Sequence, residues 1–122
     1  MLQTTQENCL PEISLQLEYV LDSEEDVKIL VKQKKNIFIK HPEYIIATNK
    51  RLFFCIPNDG QGGINIHEYE WKYIIKCSIV KNITYTNLVI KLTNSIEIST
   101  KYLPKKEALK LYNYIKSILD DK

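Results

Sequence analysis

Arginine is nearly absent from these 122 residues: 16 of the 17 basic side chains are lysines, and Arg51 carries the one guanidinium. Lysine is a point charge on a flexible stem and reads phosphates and guanine less well than the arginine fork, so specific nucleic-acid recognition is disfavoured. Glycine occurs three times, all between residues 60 and 63, ahead of an apolar stretch with strand character. No glycine-rich loop therefore opens a helix to cradle phosphates. The cysteines, Cys9, Cys55 and Cys77, are odd in number and form no C-x-x-C, which excludes the usual zinc and redox frameworks and leaves reduced thiols as the expectation. Unbroken apolar runs such as residues 52–56 fall far short of the roughly 20 residues of a membrane-spanning helix. Residues 1–11 contain Glu7 and no cation, unlike a secretory signal. The expected location is the cytoplasm.

What is present is ordinary globular material, 44% apolar and 26% charged, at a length that suits one core without a disulfide or metal staple. The net charge of +2 hides an asymmetry. Residues 1–26 hold seven carboxylates and no Lys or Arg, whereas the rest of the chain, with 17 basic and 8 acidic side chains, carries +9. An acidic leader on a basic body implies an anionic partner or an internal pairing of the two regions.

Residues 12–21 place Ile13, Leu17, Val20 and Leu21 on one helical face behind Pro11, and a short helix is expected there, although Ile13, Leu15, Leu17, Tyr19 and Leu21 also alternate as in a strand. From Asp26 the period becomes two. Val27, Ile29 and Val31 mark a first strand. Residues 44–47 and 52–56 flank Thr48-Asn49-Lys50-Arg51 as a hairpin, with Asn49 expected to supply a positive φ. Residues 57–63 read as a loop, residues 64–74 as a fourth strand closed by Trp71 to Ile74, and residues 75–80 as a fifth. Leu88, Ile90 and Leu92, then Ile96 and Ile98, alternate on either side of a turn at Asn94-Ser95. Pro104 is placed as a first helical residue, and Ala108, Leu111, Tyr112, Ile115 and Leu119 recur at helical spacing, so an amphipathic helix ends the chain.

Leu21-Asp22-Ser23-Glu24-Glu25, followed by a strand and then Tyr44-Ile45-Ile46-Ala47-Thr48-Asn49-Lys50-Arg51-Leu52-Phe53-Phe54, resembles the bacterial PH-like and GRAM-like families of the pleckstrin-homology superfamily. Those families carry a leucine and an acidic pair before the first strand and a Thr-Asn-x-Arg-Leu hairpin after it. Where glycine commonly precedes the acidic pair, this chain has Ser23. The resemblance implies an α+β, mainly β fold: a seven-stranded antiparallel split barrel capped by a carboxy-terminal helix, with the domain over residues 21–122 and the acidic leader over residues 1–20. It also implies a binding or assembly module, not a catalyst.

The residues agree with that implication. His41 and His67 are the only histidines, and no H-x-x-x-H or G-x-S-x-G occurs. A Cys77–His67 pair on adjacent strands is the one nucleophilic arrangement to weigh, against the commoner use of such residues as core filler and surface imidazole. No cofactor or metal is expected.

Three clusters are candidate contacts. Lys32, Lys34, Lys35 and Lys40 surround Ile37, Phe38 and Ile39 after the first strand and could meet an anionic membrane with Phe38 inserted. Alternation favours the plainer reading, a solvated lysine rim with Ile37 and Ile39 facing the core. Thr48, Asn49 and Arg51 form the hairpin motif, where Arg51 has either an external anion or Glu24 or Glu25 as partner, the structural role being favoured. Lys101, Lys105 and Lys106 oppose the dipole at the start of the last helix. Trp71, beside Tyr69 and Tyr73, is expected beneath that helix.

The function expected from these residues is protein–protein interaction or self-association through exposed strand edges. Contact with anionic lipid headgroups through residues 32–40, at the inner face of the membrane, is the alternative. Nonspecific nucleic-acid binding by the +9 body is the weaker third reading.

Overall fold

In a computed structural model, residues 20–34, 39, 41–58 and 62–121 are described. The helix expected over residues 12–21 lies outside them apart from Val20 and Leu21. Strands β1 (Val27–Lys32), β2 (Tyr44–Thr48), β3 (Arg51–Pro57) and β4 (Ile64–Glu70) form one antiparallel sheet in chain order. A second antiparallel sheet follows: β5 (Ile74–Lys81), β6 (Thr86–Leu92) and β7 (Glu97–Leu103). The helix α1 (Lys105–Asp120) closes the structure and packs on β5, β6 and β1.

Between the two sheets the inward side chains make the main core. Ile45, Ala47, Leu52 and Phe54 of the first sheet meet Cys77, Leu88, Ile90 and Leu92 of the second, under Ala108, Leu111 and Ile115 of α1. The helical stripe read from the sequence is thus the buried face, and Lys105, Lys106, Lys110 and Lys116 are exposed. At 16 residues and about 1.5 Å per residue, α1 is roughly 24 Å long, enough to roof one open side of a small two-sheet fold.

Strand β2 is buried at every position. Its alternate residues Tyr44 and Ile46 join Phe53 and Cys55 in a second cluster with Val27, and the partly buried Val20, Leu21, Leu30, Ile64 and Ile66 pack against it. A continuous apolar run is the signature of a strand covered on both faces.

Several local expectations change. Trp71 to Ile74 does not close β4. Trp71–Tyr73 is a 3₁₀ turn that carries the chain from one sheet to the other, and Ile74 opens β5. His67 and Cys77 consequently sit on strands of different sheets, His67 exposed and Cys77 in the core, not on adjacent strands. Ile96 precedes β7 and is exposed. Pro104 is the N-cap, one residue before α1, and its carbonyl accepts the first helical bond from Ala108 N–H at 2.9 Å. Asn49 is also not among the described non-glycine residues with positive φ, which are Ser95 and Tyr102. The Thr48 hydroxyl makes that left-handed residue unnecessary, because it accepts the N–H of Lys50 and of Arg51, both at 3.0 Å, and so builds the turn itself. Ser23 likewise needs no left-handed backbone, so glycine is not required there.

Candidate functional site

Three places on the surface hold the chemistry. The first is the β2–β3 turn. Glu25 is buried with its side chain fully shielded, and all four of its acceptor directions are filled. Oε1 accepts from Arg51 Nη2 at 2.7 Å and from the backbone N–H of Asp22 at 3.1 Å. Oε2 accepts from Thr48 Oγ1 at 2.6 Å and from Arg51 Nε at 3.0 Å. Burial alone would raise this carboxyl, but the bonds from Arg51, Thr48 and Asp22 outweigh it and hold the group below its ordinary value. Arg51 is shifted further upward, chiefly by its hydrogen bonds to Glu25.

Arg51 also donates to Glu68 Oε1 and to the carbonyl of Val20, each at 2.7 Å, and lies over the Phe53 ring at 5.0 Å. Four of its five N–H directions are therefore engaged within the chain. Of the two acidic partners expected for it, Glu25 takes the fork. Glu24 instead offers its backbone carbonyl to Asn49 Nδ2 at 3.2 Å, while Asn49 Oδ1 accepts from Asp26 N–H at 2.8 Å. Beside this knot lies an open depression of about 480 Å³ lined by Asp22, Lys50, Arg51, Glu68, Tyr69, Glu70 and Tyr73. Its three carboxylates outnumber its two cations, which suits an external anion poorly. Trp71 packs edge-on to Tyr114 of α1 at 6.2 Å and donates Nε1–H to the Thr48 carbonyl at 3.1 Å. Tyr73 is exposed, so the three neighbouring aromatics do not form one surface.

The second place is a basic corner. Lys34 N–H donates to the Tyr102 carbonyl at 2.7 Å, and Gln33 Nε2 donates to the Lys101 carbonyl at 2.9 Å. The end of β1 is thereby tied to the end of β7, which sets Lys34 beside Lys101 and Tyr102 although they lie far apart in sequence. Lys34 Nζ further donates to the Thr84 carbonyl at 2.9 Å, which brings in the β5–β6 turn. At the tip of that turn Ile83 is 92% exposed. Tyr85 and Tyr102 lie with ring centroids 4.8 Å apart at its base. Lys32 is half-buried on β1 opposite Tyr44, Lys101 is exposed, and Lys105 and Lys106 are exposed in the first turn of α1. Lys35, Phe38 and Lys40 lie outside the described residues. Sequence reasoning missed Ile83, whose signal is an isolated apolar residue in the polar turn Asn82-Ile83-Thr84.

The third place is the groove between β5 and α1, about 460 Å³. Ile75, Cys77 and Ile79 line one side, and Tyr112, Lys116, Leu119 and Asp120 the other. Leu109, 42% exposed, stands almost two turns before Lys116 and continues the helical wall. Burial pushes the Cys77 thiol up to about 12, with Lys116 pulling weakly the other way. Such a thiol stays protonated and is a poor nucleophile. Among the described residues no group of three His, Cys, Asp or Glu side chains could hold a metal ion, and no helix is long and apolar enough to cross a membrane.

A family model described as bacterial PH domain matches residues 21–117. Comparison with curated proteins finds no match. Among solved structures, the chain is similar to a pleckstrin homology domain from Shewanella amazonensis SB2B, with 15% identity and a TM-score of 0.55, covering 76% of this chain and 82% of that one. It is also similar to the pleckstrin homology domain of USP37, at 12% identity and a TM-score of 0.50, covering 82% of this chain and all of that one. At these identities the likeness concerns the fold.

Proposed function

The chain belongs to the bacterial PH domain family, and from that premise we propose that it is a non-catalytic cytoplasmic module that binds an extended protein segment along β5. The observation that carries this reading is the edge position of β5 beside an open groove. Among the described residues, the backbone of residues 75–80 makes no hydrogen bond beyond its ladder with β6. An added strand would satisfy those groups and place alternate side chains between β5 and α1. Ile75, 53% exposed, and Leu109 supply apolar contact, and Lys76 and Lys116 favour acidic residues between the apolar ones. Selection of short displayed peptides on the immobilised protein tests this. Enriched peptides should alternate apolar and acidic residues and lose binding to an Ile75→Lys, Leu109→Lys variant. Peptides that bind the variant equally well, or a selection without enrichment, would overturn the proposal. Competition between selected peptides and a second copy of the chain separates self-association from a foreign partner.

Contact with an anionic membrane is a second reading, favoured by one observation: exposed Ile83 projects from the corner where Lys34 and Lys101 converge. Lysines near an anionic surface contribute about 1 kcal/mol each, and a buried isoleucine adds to that. Flotation with phosphatidylserine vesicles at low salt, weakened by Ile83→Asp and by high salt, is the expected outcome. Equal flotation of the variant sinks this reading.

A further inference from the structure

The outer face of the first sheet presents an accounting problem. The register pairs Tyr44 with Cys55 and Ile46 with Phe53, so these four side chains share one face, while Ile45, Ala47, Leu52 and Phe54 share the other. The inner set packs on the second sheet and α1. The outer set belongs to a separate cluster that includes no residue of either. Yet Ile46, Phe53 and Cys55 are 0% exposed. Leu30, Ile64 and Ile66 are neighbours within the same sheet and cannot roof it. Among the described apolar residues, only Val20 and Leu21 pack against this cluster from outside the sheet.

We propose that the outer face of the first sheet is the docking surface for this chain's own acidic amino-terminal segment, residues 1–19, which covers it as a third layer. Three observations select this occupant. The described chain begins on the cluster itself, with Val20 and Leu21 packed against it. Arg51, which shares the outer face with Phe53 and stacks on it, holds the Val20 carbonyl at 2.7 Å and so fixes where the segment meets the sheet. The apolar stripe fits as well, because Ile13 and Leu17 continue Val20 and Leu21 at helical spacing. Ten helical residues reach about 15 Å, close to the roughly 14 Å width of four strands about 4.8 Å apart. Charge follows the same direction, since Asp22 at the junction already pairs with Lys50 at 3.2 Å. The acidic leader is thus a structural partner of the basic body, and its binding surface is apolar.

The fold supplies its own reporters. Cys55 lies under the proposed cover and Cys77 in the other core, and neither is in a disulfide. In the full chain carrying Cys9→Ser, native-state alkylation by iodoacetamide is followed at each thiol by mass spectrometry. Adding Ile13→Asp and Leu17→Asp should speed modification of Cys55 at least tenfold and leave Cys77 unchanged. Phe38→Asp, in the other apolar stretch beyond the described residues, should change neither. An unchanged Cys55 rate in the leader variant, acceleration by Phe38→Asp instead, or Cys55 and Cys77 accelerating in step would each overturn the proposal.

Discussion

Arg51 and Glu25 meet side-on, with Nε to Oε2 at 3.0 Å and Nη2 to Oε1 at 2.7 Å, across 26 residues of sequence. This fork joins the entry to β1, the β2–β3 turn and, through Glu68, strand β4. Removing one member of a shielded pair strands the other, at a cost of about 3 kcal/mol or more. Arg51→Ala should therefore lower the unfolding free energy measured by urea denaturation by that amount. Arg51→Lys should recover little of the loss, since an ammonium cannot make both bonds. Unchanged unfolding of Arg51→Ala would remove the structural role, and full recovery in Arg51→Lys would show that the charge, not the fork, supplies it.

Glu25 also sets an acid limit on stability. Its carboxyl in the folded protein lies below the ordinary value of 4.5, so the unfolded chain binds the proton more tightly. The stabilisation is complete above the unfolded value and is lost as pH falls through the folded one. Glu43 acts in the opposite sense: burial raises its carboxyl, and its contribution is lost as pH rises through the raised value. Thermal melts below pH 4.5 should fall steeply in the wild type and less steeply in Glu25→Gln, which starts from a lower stability at neutral pH. Parallel slopes would contradict this assignment.

Trp71 and Tyr114 should couple measurably. Their rings pack edge to face and both donate to the Thr48 carbonyl, Tyr114 more loosely at 3.4 Å. A double-mutant cycle with Trp71→Phe and Tyr114→Leu is expected to give an interaction energy of about 1 kcal/mol. Additive effects would mean that the helix docks without this contact.

Cys77 should resist thiol chemistry in the folded state. With its thiol pushed up to about 12, Ellman's reagent at pH 8 should leave it unmodified until denaturant unfolds the chain. Rapid native-state modification at Cys77 would show that the groove beside it opens more deeply than its geometry indicates.

Much of the architecture was legible because alternation and helical spacing are local properties. Val27, Ile29 and Val31, the pair of apolar runs around Thr48, and the stripe Ala108, Leu111 and Ile115 each marked an element that the fold contains. The motif around Arg51 carried the family for the same reason, since turn chemistry is written in neighbouring residues. Trp71 misled because aromatic residues suit a strand and a buried 3₁₀ turn equally well. Asn49 misled because its side chain, not its backbone, serves the turn's surroundings. Tertiary structure alone decided that Glu25 and not Glu24 takes the guanidinium, that Gln33 and Lys34 are tied to Lys101, Tyr102 and Thr84 beside Ile83, and that β2 is covered on both faces. Periodicity tells which side of an element is apolar. Which surfaces then face each other depends on register and chain crossing, set by contacts between residues far apart in the sequence.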